Sequence, residues 1–152
     1  MKADRPAPSR EEAMQMAGRM ISRRMYSCQE LFDKLVEKGV SEEDGAYCIS
    51  RFLDLHLLND SYYAGAVVRH YSKKGYGLSR VKAELKRHGI PDELFDEALE
   101  EMPSSDTFID DYIAEHLSDP SDKKAVKKTT DALFRRGFSW EEIHAALNRY
   151  EE

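Results

Sequence analysis

The sequence predicts an all-α protein made of three tandem three-helix repeats in an elongated array, and three observations carry that expectation. Apolar residues recur at helical spacing through almost the whole chain. β-branched runs are almost absent, and 8 Gly with 5 Pro in 152 residues are too few for the turns of a sandwich or barrel. Three glycines, Gly39, Gly89 and Gly137, lie 50 and 48 residues apart and close the similar segments LFDKLVEKGVSEED, VKAELKRHGIPDEL and TTDALFRRGFSWEE. Each has a leucine four positions back, and each is followed by a hydrophobe and a helix starter. Such a unit leaves apolar faces open that its neighbours cover.

The elements follow in order. Ser9 and Glu12 form a capping-box pattern ahead of Ala13, Met16, Ala17, Met20 and Ile21. Ser27 and Glu30 repeat it before Leu31, Phe32, Leu35 and Val36, and Gly39 stops that helix because it accepts the left-handed conformation. Ser41 caps a third helix carrying Ala46, Ile49, Phe52 and Leu53; Asn59 or Asp60 caps a fourth with Tyr63, Ala66, Val67 and Tyr71. Gly75-Tyr76-Gly77 breaks the chain before a fifth helix with Leu78, Val81 and Leu85. Pro91 suits the first turn of a sixth, which carries Leu94, Phe95, Ala98, Leu99 and Met102. A seventh runs from about Ser105 to Leu117, and an eighth carries Val126, Thr130, Leu133 and Phe134. The ninth opens on the Ser139/Glu142 box and carries Trp140, Ile143, Leu147 and Tyr150. The expected division is a tail over residues 1–8 and repeats over 9–58, 59–103 and 104–152.

Composition excludes several classes. With 23 Lys and Arg against 29 Asp and Glu the formal charge is -6, which disfavours a strongly basic nucleic-acid binder. No apolar stretch approaches the roughly 20 residues needed to span a bilayer, and the polar start has no apolar core of a leader. A cytoplasmic monomer is expected. Cys28 and Cys48 form no CxxC pattern and read as two reduced thiols on helix faces.

Charge is segregated along the chain. Arg69 to His88 holds seven basic residues and one acid, Asp92 to Glu115 ten acids and no Lys or Arg, and Lys123 to Arg136 six basic residues and one acid. No phosphate loop, dinucleotide fold, zinc-protease or nucleophile-elbow motif is present, and the five histidines are scattered singly. Catalysis, a metal and a cofactor are therefore not expected. His88, beside a helix-ending glycine, reads as a C-terminal cap. Tyr71 and Tyr76 stand among Arg69, Lys73, Lys74 and Arg80, so either they stack on an unpaired base beside phosphate-neutralising cations or they pack the turn. Arg80 and Arg87, seven apart, share a helix face. This pattern supports weak binding to single- or double-stranded DNA without sequence reading.

Leu57-Leu58-Asn59-Asp60-Ser61-Tyr62-Tyr63-Ala64 with Val68-Arg69 resembles the GLLDDxRFA…R segment of the RecX regulatory proteins. Gly75-Tyr76-Gly77-Leu78-Ser79-Arg80-Val81, Glu84-Leu85 and Gly89-Ile90 resemble their GxGxxRI…EL…KGI segment. Ser22-Arg23-Arg24, Tyr26-Ser27, Glu30-Leu31, Lys34-Leu35 and Lys38-Gly39 extend the likeness into the first repeat, and Leu133, Arg135-Arg136-Gly137-Phe138 and Ile143 into the third. The chain departs from the pattern at His56 (glycine in the family), Asn59 (aspartate), Tyr62 (arginine) and Tyr63 (phenylalanine). The resemblance implies a non-enzymatic modulator of the RecA recombinase that lodges in the RecA–DNA filament. It implies inhibition of strand exchange and ATP hydrolysis in DNA repair, recombination and the SOS response. Arg69, Lys73, Lys74, Arg80, Lys86 and Arg87 are the expected interaction residues, with Arg23, Arg24, Arg135 and Arg136 second. The alternatives are a stand-alone nucleic-acid binder and a helical adaptor for another protein.

Overall fold

The computed structural model describes residues 6–152; the first five residues of the expected tail lie outside them. The described residues form α1 (Arg10–Arg23), α2 (Cys28–Glu37), α3 (Glu42–Asp54), α4 (Asp60–Lys73), α5 (Leu78–Arg87), α6 (Phe95–Leu99), α7 (Asp106–His116), α8 (Lys123–Arg135) and α9 (Trp140–Glu151). No strand occurs among them, and the fold is an all-α helical repeat.

Local chemistry fixes most helix ends. Ser9/Glu12, Ser27/Glu30 and Ser139/Glu142 each close a reciprocal capping box, satisfying amides that a helix start otherwise leaves orphaned. Ser41 caps α3 by accepting from the Asp44 amide. Asn59, rather than Asp60, caps α4, taking the Tyr62 amide at 3.1 Å. Asp60 instead accepts from the Cys28 amide in the first turn of α2 at 2.9 Å, where a carboxylate also complements the helix dipole. Gly39, Gly75, Gly89 and Gly137 all have positive φ. So does His56, at φ 58, in the turn that ends α3. It stands where the family pattern has glycine, so an L side chain takes on a conformation that glycine adopts without a Cβ clash.

Two compact units result. One holds the described residues up to Ala64 together with Lys86–Leu94; the other holds Gly65–Leu85 and Phe95–Glu152. In the first, Ala13, Ala17, Leu31, Leu35, Val40, Cys48, Phe52 and Leu58 form one buried core. In the second, Ile109, Ile113, Leu117, Leu133, Phe138, Ile143 and Ala146 form another.

Several expectations are corrected. The sixth helix does not run from Pro91 to Met102: a 3-10 turn at Asp92–Leu94 leads into only Phe95–Leu99. Beyond it the chain tightens into i→i−3 bonds, from Glu100, Glu101 and Met102 to Glu97, Ala98 and Leu99. Glu100 and Glu101 at that end carry the wrong charge for a helix C-terminus, and Pro103 disfavours helical geometry in the residue before it. The seventh helix, expected over about Ser105 to Leu117, spans Asp106–His116; Ser105 holds its N-cap position, but the hydroxyl donates to the Glu142 carboxylate instead of accepting a helix amide. Leu53, Leu78, Phe134 and Trp140 are exposed at 41–49% rather than turned inward. Leu53 and Phe134 each stand one residue past a buried neighbour, Phe52 and Leu133, and so are rotated about 100° off the core stripe.

Candidate functional site

The motif-bearing turn at Gly75-Tyr76-Gly77 is built by close backbone approach. Gly75, at φ 85, ends the α4 segment, and a Cβ there would lie 2.4 Å from the Phe108 ring. A Cβ on Gly77 would meet the Gly137 carbonyl group at 2.6 Å. That contact lets the Gly77 amide donate to the Arg136 carbonyl at 2.8 Å and the Ser79 amide to that of Gly137 at 3.1 Å. The amides at the start of α5 are thus satisfied by the Arg136 and Gly137 carbonyls just past the end of α8, with no side chain needed.

Around this joint the aromatic and basic residues pack on one another. Tyr71 and Tyr76 stack at 5.9 Å. The Arg80 guanidinium lies 4.7 Å from the Tyr76 ring centre and its Nε 3.3 Å from the buried Glu84 carboxylate. Arg136 donates to the Lys74 carbonyl at 3.2 Å and lies 5.7 Å from both the Phe108 and Tyr112 rings. Arg136 therefore clamps the turn. Arg69 is ion-paired with Glu101. Lys73 is exposed, as is Lys74, whose ammonium lies 5.6 Å from the Tyr71 ring. Of the two roles open to Tyr71 and Tyr76, turn packing is the one these contacts fill.

The other unit carries a different joint. The Ser27 hydroxyl donates to the His88 carbonyl at 2.6 Å while accepting from the Glu30 amide. Glu30 uses Oε1 for its capping box and places Oε2 3.2 Å from Nδ1 of His88. Tyr63 brings its hydroxyl within 3.1 Å of that same nitrogen. The expected imidazole cap is thus corrected: Nδ1 of the ring faces Glu30 on α2 and the Tyr63 hydroxyl on α4. Burial pushes the Tyr63 phenol up to about 12, with the Glu30 carboxylate adding to it. Burial likewise raises the Cys28 thiol to about 11, reinforced by Asp60.

Arg24 lies 3.7 Å over the Tyr26 ring and beside a concave patch of about 300 Å³, which Met25, His56, Leu57 and Tyr62 also line. Met25, Leu57 and Tyr62 are exposed there. This patch escaped the sequence reading because two segments some thirty residues apart make it; the apolar pair in Leu57-Leu58 was its one visible signal. Arg23, Lys86 and Arg87 are exposed in this unit, and Arg135 in the other. The ten candidate cations therefore do not form one cluster: Arg23, Arg24, Lys86 and Arg87 belong to one unit, and Arg69, Lys73, Lys74, Arg80, Arg135 and Arg136 to the other.

These features define a class, an all-α repeat protein with segregated charge whose prominent motif residues build joints between helices. Residues 13–52 match the first three-helix domain of RecX and residues 59–99 the second. The chain is 32% identical to the regulatory protein RecX of Xanthomonas axonopodis pv. citri, covering 96% of each chain. Against that of Vibrio campbellii it is also 32% identical, over 99% of this chain and 97% of the relative. Its fold matches the crystal structure of RecX from Lactobacillus salivarius with a TM-score of 0.80 at 23% identity, covering 93% of this chain and 96% of that one. The chain belongs to the RecX family of regulatory proteins.

Proposed function

We propose that this protein binds the RecA recombinase and its DNA filament and lowers strand exchange and ATP hydrolysis without being an enzyme itself. The near-full-length likeness to regulatory RecX proteins carries this reading. Among the described residues no helix is long and apolar enough to cross a membrane. The proposed organisation is three repeats, 9–58, 59–103 and 104–152, in a cytoplasmic monomer.

Exposed Lys73, Lys74, Lys86 and Arg87, with Arg80, are the proposed contacts to phosphate or acidic protein. The test adds the protein to preassembled RecA–single-stranded DNA filaments and follows ATP hydrolysis. Hydrolysis is expected to fall at protein levels too low to coat the DNA. The double reversal Lys73→Glu, Lys74→Glu is expected to abolish that effect with helical circular dichroism intact, and it spares the Arg80–Tyr76 packing. No effect of the unaltered protein sinks the reading; full effect of the reversed variant removes this surface from it.

A further inference from the structure

The exposed face of α8 concentrates like charge. Lys123 and Lys124 open the helix at the positive end of its dipole, where the only acid is the N-cap Asp122, which accepts from the Lys124 and Ala125 amides. Lys123 with Lys127, and Lys124 with Lys128, place like charges at i,i+4, a repulsive spacing. The helix's one carboxylate, Asp131, lies 2.8 Å from the Lys127 ammonium. Lys124, Lys127, Lys128, Asp131 and Arg135 line a shallow open groove. Helical geometry puts Phe134 one turn beyond Asp131 and two beyond Lys127, on the edge of that basic face. There Phe134 stacks on Trp140, with ring centres 4.7 Å apart and planes 14° from parallel. Both rings are exposed, at 49% and 41%. The whole feature lies outside the two segments that match the RecX domains.

We propose that the α8 face and the Phe134–Trp140 pair form a binding site for single-stranded nucleic acid. The lysines neutralise successive phosphates along the groove, and an unpaired base stacks on the exposed aromatic pair at its end. Bound phosphates relieve the lysine repulsion that the free helix carries. A single strand, rather than an acidic protein, suits the face because it supplies both a line of charge and flat π surfaces. The site stands apart from the recombinase reading, and its test contains no recombinase.

Trp140 is the only tryptophan in the chain, so its fluorescence reports on this site directly. Oligo(dT) titrated into the full chain is expected to quench it, with a log–log salt slope of about −3 if about four phosphates are neutralised. Lys124→Glu with Lys128→Glu should remove the quenching. Phe134→Ala, which keeps the reporter, should weaken binding roughly tenfold. Absence of quenching overturns the proposal. So does equal quenching by polyglutamate, which would make the face a protein-docking surface. Binding of labelled oligo(dT) that the α8 variants leave unchanged also overturns it by placing the strand elsewhere. A filament assay without effect alongside Trp140 quenching would sink the recombinase reading and leave this site standing.

Discussion

The end of α5 meets the start of α2 through side chains, whereas the end of α8 meets the start of α5 through bare backbone. His88-Gly89 and Arg136-Gly137 occupy the same place in the repeated segment, yet their surroundings differ. At the first, the Ser27 hydroxyl takes the His88 carbonyl, and Glu30, Tyr63 and His88 form a polar cluster beside it. At the second, Gly77 and Ser79 give their own amides to the Arg136 and Gly137 carbonyls just past α8, which demands two glycines in contact. The repeat unit thus specifies that a helix stops, while its neighbour decides how the exposed carbonyls are satisfied.

The largest predicted effect breaks the backbone joint. A Cβ at Gly137 would lie 2.5 Å from the Arg80 amide nitrogen, and the residue sits at φ 100. Gly137→Ala should cost about 4 kcal/mol, combining left-handed strain with forced separation of α5. Gly39 has a similar φ of 98 but nearest contact only with Pro8 at 3.6 Å, so Gly39→Ala should cost about 1 kcal/mol. Urea unfolding of both variants checks the ranking, and equal losses would show that conformation alone, not contact, matters at Gly137.

Removing the side-chain joint comes next. Ser27→Ala deletes the α2 cap and leaves the His88 carbonyl without its 2.6 Å donor. A loss of about 2–3 kcal/mol is expected, read by the same unfolding curves. Serine replaced by threonine should recover most of it.

A further effect at the side-chain joint depends on pH. Tyr63 is held neutral up to about 12, against 10.0 for the free phenol. Its contribution is therefore fully present below pH 10 and is lost as pH rises through 12, amounting to roughly 2 kcal/mol. Tyr63→Phe should flatten the alkaline limb of stability against pH over that window. An unchanged limb in this variant would place the alkaline sensitivity elsewhere.

Much of this protein was legible residue by residue. Capping boxes and positive-φ stops act within four or five residues, so Ser9, Ser27, Ser139 and the three spaced glycines announced their helices directly. The family likeness was equally readable, because its motifs are ordered runs. Three things depended on the third dimension. Arg69 and Arg136 read as free cations, but Glu101 and the Lys74 carbonyl engage them from 32 and 62 residues away. Phe134 and Trp140 read as core residues, but a rotation of about 100° from Leu133 and a place in the first turn of α9 leave them exposed. Gly77 read as a chain breaker, and its reason is a carbonyl sixty residues on. Sequence by itself determined where the serine-capped helices begin and where the glycine-stopped helices end, because those signals are local hydrogen bonds. Tertiary structure alone decided which cations remain available, because a charge is spent or kept according to which distant carboxylate or carbonyl folds against it.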